Sequence, residues 1–166
     1  MLKNHEENKA IELLKQNKII ILPTDTIYGL SAVYTLENER EINRVKKADL
    51  NKRLIILISN LEQLKDLDVF DQTDKELLLS NDPTTVIFKT KDSSVAVRLV
   101  KRQDIKNIIN KVGPIISTSV NFHKSEPLKT KMDLENFNKD IVVFFDEQLN
   151  GSASRIYDSI NKKYIR

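Results

Sequence analysis

Residues 18–30, Lys-Ile-Ile-Ile-Leu-Pro-Thr-Asp-Thr-Ile-Tyr-Gly-Leu, join a strand-like run to a polar loop. The run from Lys18 to Leu22 is short and rich in β-branched residues, and Pro23 stops it, so it predicts a buried strand. The loop then presents two threonine hydroxyls and the Asp25 carboxylate before Gly29, which lets the backbone turn tightly. Taken alone, the pattern is also that of an ordinary turn, so a functional interpretation needs further segments.

The chain on either side alternates between helical and strand patterns. Apolar residues recur at helical spacing in residues 4–17, 37–47, 71–80, 102–112 and 132–138, with a short helix near 61–64. Further apolar or alternating runs predict strands at residues 53–58, 84–89, 94–99, 115–118, 141–145 and 154–158. Because no long linker or repeat separates these segments, we expect a mixed α/β sheet covered by helices.

The composition supports one domain and excludes several classes of chemistry. The chain has 166 residues, 40% of them hydrophobic, which suffices for a single domain over residues 1–166 but not for two of ordinary size. Zero cysteines exclude disulfides and thiolate metal sites, and two histidines, His5 and His123, leave little for a zinc site or a Ser-His-Asp triad. With three glycines, no pair has the spacing of a Walker A loop or of G-x-G-x-x-G.

Charge and hydropathy indicate the kind of partner and the compartment. A net charge of +3 and a pI near 9.0 suit a polyanion such as ATP or RNA, although a lysine-rich solvated surface explains them equally well. The longest apolar runs are strand-sized, and the first residues are charged where a signal peptide would be apolar. We therefore expect a cytoplasmic protein with no membrane segment.

Four segments combine a strand end with hydroxyl or cationic side chains, which is where an α/β sheet normally builds its ligand crevice. The first is the loop 23–30 described above. In the second, Lys46 lies on a predicted helix, and Lys52 and Arg53 come just before a strand. A solvated cationic face is the simpler interpretation of this second segment.

The other two segments lie on predicted strands. Period-two alternation puts Ser94, Ala96 and Arg98 on one strand face, which suggests a ligand-facing arginine, although a surface arginine fits equally well. Residues Ser117 to Asn121 bring three hydroxyls and an amide to a strand end. Such a cluster can bind phosphate or ribose, but it is also common in helix caps and turns.

Five motifs in this order resemble those of the YrdC/TsaC family, the threonylcarbamoyl-AMP synthases. LPTDTIYGL resembles the family's PT(D/E)T-x-YGL, NDPTTVIF its PGP-x-T strand, VAVRLV its VAVR-x-P, STSVN its (S/P)TSAN, and SASRIYD its closing S-T-I-x-D segment. The chain then stops at Arg166, where the family carries a late nucleotide-binding arginine. The resemblance covers nearly the whole chain. It implies a YrdC-like fold: a twisted mixed sheet flanked by helices, with a concave basic groove and no additional C-terminal domain.

The resemblance also implies a reaction. L-threonine, bicarbonate or CO2, and ATP with Mg2+ would give L-threonylcarbamoyladenylate and pyrophosphate, the first step of the N6-threonylcarbamoyladenosine (t6A) modification of tRNA. A downstream threonylcarbamoyl transferase complex, TsaD with TsaB and TsaE type proteins, would then deliver the group to tRNA. Direct contact with tRNA or another RNA is possible, and the sequence leaves it open.

By similarity, each substrate has its own residues. L-threonine would be held by Thr26, Arg98, Ser117 and Ser154. ATP would be held by Lys46, Lys52, Ser94, Ser119, Asn121 and Arg166. The catalytic residues would be Lys46, Arg98, Ser119 and Asn121. No protein metal site is expected, because Mg2+ would arrive with the triphosphate.

One departure from the family pattern affects the phosphate site. The family usually has a K-x-R pair on the helix before the second strand, and here Ala48 stands at the arginine position. Lys47 or Arg53 is a candidate substitute. Two alternatives to the synthase stay open: an RNA-binding module, which the low aromatic content of 6% disfavours, and a degenerate paralogue that keeps the fold without this activity.

Overall fold

The computed structural model describes residues 1–122 and 124–166, so His123, one of the two histidines considered above, lies outside the described residues. Four α-helices are present in this part of the chain: α1 (Asn4–Lys15), α2 (Leu36–Lys46), α3 (Gln103–Val112) and α4 (Lys131–Phe137). Two 3-10 helices span Leu61–Leu67 and Lys75–Leu79. The strands are β1 (Ile20–Leu22), β2 (Gly29–Val33), β3 (Ile55–Ile58), β4 (Thr84–Lys89), β5 (Ser94–Leu99), β6 (Ile115–Ser119), β7 (Val142–Val143), β8 (Arg155–Asp158) and β9 (Lys163–Tyr164).

The described strands form one mixed sheet in the order β7-β1-β2-β6-β3-β5-β4-β8-β9. Strands β3 and β5 pair in parallel, as do β1 and β7 and β4 and β8, whereas the remaining neighbours are antiparallel. The predicted mixed sheet flanked by helices is therefore confirmed.

One face of the sheet is covered by α2, α4 and the two 3-10 helices. Ile56 of β3 and Val97 of β5 lie on this face and belong to a buried cluster with Ile42 of α2 and Leu134 of α4. This cluster contains most of the buried apolar side chains of the sheet. Close packing in this cluster fixes the positions of the strands, and the ends of these strands carry the polar residues described below.

The opposite face is covered only in part by helices. Leu57 and Ile115, which are register partners, pack with Leu14 of α1 and Ile108 of α3 in a second buried cluster. Farther along the same face, the strands carry small or polar side chains instead of large apolar ones: Ser31, Ala96, Arg98 and Ser117. This change leaves a hollow beside the helices, and the candidate site lies there.

Several predicted boundaries were wrong, and the structure shows the reason for two of them. The stretch 71–80 is helical only as a 3-10 helix over Lys75–Leu79, because Asp71 accepts a hydrogen bond from the backbone N–H of Thr73 and forms a turn instead. The predicted strand 141–145 is reduced to Val142–Val143, because its partner β1 is itself three residues long.

Strand β2 was missed entirely, since its sequence, Gly-Leu-Ser-Ala-Val, is dominated by residues of low β propensity. It is nevertheless a buried strand between β1 and β6. Within the described residues, no helix is long and apolar enough to cross a membrane.

Candidate functional site

A cavity of about 330 Å³ opens where the ends of several strands meet. Nine of the ten residues that the sequence singled out for substrate binding line this one cavity: Thr26, Lys46, Lys52, Arg98, Ser117, Ser119, Asn121, Ser154 and Arg166. They come from six separate stretches of the chain. The structure therefore brings distant segments of the chain together around one cavity, as predicted.

Ser94 is the exception. It lies on the same face of β5 as Ala96 and Arg98, as the alternation predicted, but at the opposite end of the strand, where it pairs with Lys89 of β4. Four residues of strand correspond to about 13 Å, so Ser94 lies well away from Arg98 along β5. Its side chain borders a different hollow, near Asp68 and Asp92. The structure thus does not bring Ser94 to the cavity.

Arg98 defines one end of the cavity, which we call the Arg98 end together with Thr26, Ser117 and Ser154. Its side chain is 6% exposed, and one terminal nitrogen donates to the Thr26 hydroxyl at 3.2 Å. Its Nε has no hydrogen-bond partner among the described residues. Burial, aided by the charge of Arg166 and opposed by that of Asp25, lowers the pKa of Arg98 to about 10. A buried guanidinium without a carboxylate on its free donors is a site prepared for an anion.

The loop after Pro23 holds the Thr26 hydroxyl in place. Thr24 donates its hydroxyl proton to the carbonyl of Ile27 at 2.6 Å and accepts the backbone N–H groups of Thr26 and Ile27. Asp25 instead turns away and accepts from the backbone N–H groups of Lys101 and Arg102 at the start of α3. Of the polar side chains in this loop, the Asp25 carboxylate therefore caps backbone donors.

Gly29 begins strand β2 rather than forming the tight turn that was predicted. A Cβ at this position would collide with the hydroxyl of Ser117 on the neighbouring strand β6. Ser117 in turn accepts a hydrogen bond from Ser31 at 3.3 Å. The glycine therefore makes room for a polar side chain of the cavity.

Lys46 defines the other end of the cavity, which we call the Lys46 end together with Ser119 and Asn121. It occupies the last turn of α2, and its ammonium donates to the hydroxyls of Thr118 and Ser119 at 3.2 and 3.3 Å. Ser119 donates in turn to the amide oxygen of Asn121 at 2.8 Å. Burial, together with the nearby charge of Lys52, lowers the pKa of Lys46 to about 8. The sequence missed Thr118 as a contact of Lys46, because strand alternation places it opposite Ser117 and Ser119.

Arg166 lines the cavity beside Ser154. Its Nε donates to the backbone carbonyl of Ser154 at 2.8 Å, and the Ser154 hydroxyl shares a hydrogen bond with Thr85 at 2.7 Å. Burial lowers the pKa of Arg166. Its guanidinium therefore lies beside the closing segment of the chain, with further donors available to a ligand.

Positive charge dominates the lining. Six cationic residues border the cavity and, within residues 1–122 and 124–166, no acidic side chain does; the cations are Lys46, Lys52, Arg53, Arg98, Lys124 and Arg166. Lys124 was also missed, since no strand or helix pattern marks its position. Such a hollow attracts anions and lowers the free energy of holding two of them side by side.

The position of the missing family arginine is not filled by another free arginine. Arg53 lines the cavity, but its Nε lies 3.3 Å from the buried carboxylate of Glu39, and its terminal nitrogen donates to Tyr34. Lys47 points to Phe122, with its ammonium 5.7 Å from the ring centroid. If Arg53 replaces the family arginine at the phosphates, it does so while it is already paired with Glu39.

Metal ligands are scarce in the described part of the chain, where no group of three or more His, Asp or Glu side chains could hold an ion. The oxygen donors of the cavity are hydroxyls and the Asn121 amide. These donors fit a magnesium ion that is already bound to the phosphates of a substrate, because such an ion keeps most of its water ligands.

Comparison with known proteins identifies relatives over nearly the whole length. The family model Sua5_yciO_yrdC, described as telomere recombination, matches residues 12–166. A threonylcarbamoyl-AMP synthase of Buchnera aphidicola subsp. Schizaphis graminum is 29% identical over 177 residues, which cover 95% of this chain and 93% of that protein.

Solved structures share the fold. P. abyssi Sua5 complexed with L-threonine aligns with a TM-score of 0.82 and 21% identity over 96% of this chain, which spans 52% of that one. E. coli YciO aligns with a TM-score of 0.79 and 17% identity, covering 98% of this chain and 91% of that chain. At these identities the likeness concerns the fold, and the YrdC-like architecture is confirmed.

Proposed function

Because the chain belongs to the Sua5/YciO/YrdC family, we propose that it is an L-threonylcarbamoyladenylate synthase. The reaction converts L-threonine, bicarbonate and ATP to threonylcarbamoyl-AMP, pyrophosphate and water. In this proposal L-threonine occupies the Arg98 end of the cavity and ATP the Lys46 end. Curated relatives that carry this activity in their names match over most of the chain.

The observation that carries the proposal is the pairing of Arg98. Its largely buried side chain lines the cavity and donates to Thr26 through one terminal nitrogen, and among the described residues it pairs with no carboxylate. The carboxylate of an amino acid satisfies such a group by a two-point hydrogen bond. The hydroxyls of Ser117 and Ser154 line the same end and suit the polar groups of threonine.

The chemistry needs positioning and positive charge rather than a protein nucleophile. The amino group of threonine captures CO2 to form a carbamate and releases a proton. A carbamate oxygen then attacks the α-phosphorus of ATP, and the bond from that phosphorus to the β-phosphate oxygen breaks to release pyrophosphate. Both reactants are anions, so holding them in line requires compensating cations.

Residues of the Lys46 end supply that compensation in the proposal. Lys46 donates to the phosphates from a position fixed by Thr118 and Ser119, while Lys52 and Arg166 flank the nucleotide. Asn121, which accepts from Ser119, orients that hydroxyl. Mg2+ enters as part of Mg·ATP and neutralises charge on the triphosphate, with hydroxyl and amide oxygens of the cavity as its nearest protein donors.

The product is a labile mixed anhydride, so a second protein must consume it. In the proposal this is a threonylcarbamoyl transferase complex of the TsaD, TsaB and TsaE type, acting on tRNA. A protein that keeps the fold without this activity is the second candidate. It is favoured by Ala48 in place of the family arginine and by the pairing of Arg53 with Glu39.

Pyrophosphate release tests the proposal. We expect release from ATP only when L-threonine and bicarbonate are both present, and slower release when serine replaces threonine. Arg44→Gln, which changes an exposed arginine outside the cavity, serves as the control variant and should match the unaltered protein. Release that is independent of threonine would reject the proposal. No release, together with salt-sensitive RNA binding, would favour a binding module.

A further inference from the structure

The segment from Asp146 to Ser154 contributes Ala153 and Ser154 to the lining of the cavity, and no part of it is helix or strand. A Cβ on Gly151 would lie 2.5 Å from the carbonyl oxygen of Thr26, so the two backbones are in direct contact. Ser154, which lines the cavity, comes three residues later. The shape of the Arg98 end therefore depends on where this segment is held.

Asp146 anchors the beginning of the segment. Its Oδ2 accepts from Arg102 at 2.6 Å, and its Oδ1 accepts from the backbone N–H of Glu147 at 2.8 Å. Tyr28 stacks on Phe145 with ring centroids 5.3 Å apart and donates its hydroxyl proton to the carbonyl of Glu147 at 2.6 Å. The anchor thus joins the segment to the loop that carries Thr26.

Arg102 connects this anchor to the rest of the fold. Its guanidinium donates to both oxygens of Asp104 at 3.1 and 2.7 Å, while its backbone N–H donates to Asp25 at 2.9 Å. Arg102 is 14% exposed, Asp146 9% and Asp104 1%. Burial acts to lower the pKa of Arg102, but the hydrogen bonds to both carboxylates outweigh it and the pKa is raised. The network is therefore charged, largely buried and geometrically fixed.

We propose that Arg102 and Asp146 form a clamp that holds residues 146–154 against Thr26 and thereby sets the affinity of the Arg98 end for its amino-acid substrate. Neither side chain lines the cavity, so both are positioning residues. The inference rests on the proposed function for the identity of that substrate. It adds a determinant of amino-acid binding that no motif of the sequence indicated.

To test the clamp, Asp146→Asn is compared with Gly151→Ala in the full chain. The first weakens the charged anchor, and the second leaves the anchor intact but adds a methyl group that pushes the segment off Thr26. Calorimetry measures the Kd of L-threonine and of ATP separately. Hydrogen exchange measures the opening of residues 147–154, and thermal unfolding of each variant shows whether it folds.

Asp74→Asn is the matched control, because Asp74 is a partly exposed carboxylate paired with Lys162 away from the cavity. For both test variants we expect the Kd of L-threonine to rise about tenfold and the Kd of ATP to stay within about twofold, since a displaced segment misplaces one end of the site only. Exchange in residues 147–154 should be faster in both, while α1 and α3 keep their rates.

Three outcomes separate the possibilities. If L-threonine does not bind to the unaltered protein, the proposed function fails, and the role of the clamp in substrate binding falls with it. If L-threonine binds and both variants retain its Kd, or lose threonine and ATP affinity in parallel, the clamp is overturned while the proposed function stands. If Asp146→Asn does not fold, Arg102→Lys, which keeps the charge but loses the planar guanidinium that reaches Asp146, decides by the same two measurements.

Discussion

Replacing Lys46 by methionine should stabilise the fold while removing ATP binding. Burial and the charge of Lys52 lower the pKa of Lys46 from its ordinary value of 10.5 to about 8. Since one pKa unit corresponds to about 1.4 kcal/mol, the folded state carries a penalty of about 3 kcal/mol for the charged ammonium. The two hydrogen bonds to Thr118 and Ser119 offset about 2 kcal/mol of it.

The net gain for Lys46→Met at pH 7 is therefore about 1 kcal/mol, or about 3 °C in Tm for a chain of this size. The gain depends on pH in a fixed direction. Below pH 8 both the folded and the unfolded lysine are protonated, and the penalty is fully present. As pH rises from 8 towards 10.5 the folded lysine loses its proton first, and the penalty fades.

Urea unfolding at pH 7 and pH 9.5 measures the difference directly. Lys9→Met on the exposed surface of α1 is the matched control, with an expected change below about 0.5 kcal/mol at either pH. Lys46→Arg is a second control, because its charge does not titrate between pH 7 and pH 9.5. A Lys46→Met protein that is destabilised at pH 7, or a stability difference that is the same at both pH values, would contradict this expectation.

Three further substitutions test separate parts of the site. Arg98→Lys keeps the charge but loses the planar fork, so the KM for L-threonine should rise about tenfold or more with the KM for ATP little changed; an unchanged threonine KM in steady-state assays would count against a carboxylate at this position. Gly29→Ala should lower the Tm through its collision with the Ser117 hydroxyl, and the double variant with Ser117→Ala should recover most of the loss in differential scanning fluorimetry. Arg53→Ala should slow pyrophosphate release well beyond the effect of Arg44→Ala, an exposed control, if Arg53 replaces the family arginine; equal rates for the two variants would reject that compensation.

The candidate site could be predicted from the sequence because its residues lie in short motifs at strand ends. Thr26, Arg98, Ser117 and Ser119 each follow or end an apolar run, and the ends of strands in one sheet meet at an edge. Alternation also placed Ala96 and Arg98 correctly on one face. Alternation predicts the face on which a side chain lies but not its distance from a cavity, and Ser94, which the family resemblance assigned to ATP, does not line the cavity.

The elements that the sequence missed are those whose structure depends on tertiary contacts. Strand β2 is made of small residues with little β propensity, and its place between β1 and β6 decides its conformation. The role of Asp25 could not be predicted either, because its partners, the backbone N–H groups of Lys101 and Arg102, lie far away in sequence. The clamp between Arg102 and Asp146 could not be predicted from the sequence, because 44 residues separate the two side chains.

In the proposed function, one cavity holds an amino acid at Arg98 and a nucleotide at Lys46 close enough to react. Incubation with L-threonine, ATP, Mg2+ and 13C-labelled bicarbonate, followed at once by mass spectrometry, tests it most directly. We expect threonylcarbamoyl-AMP carrying one 13C atom, formed only when all substrates are present and lost in Arg98→Ala. Absence of this product from the unaltered protein, or undiminished product from Arg98→Ala, would contradict it.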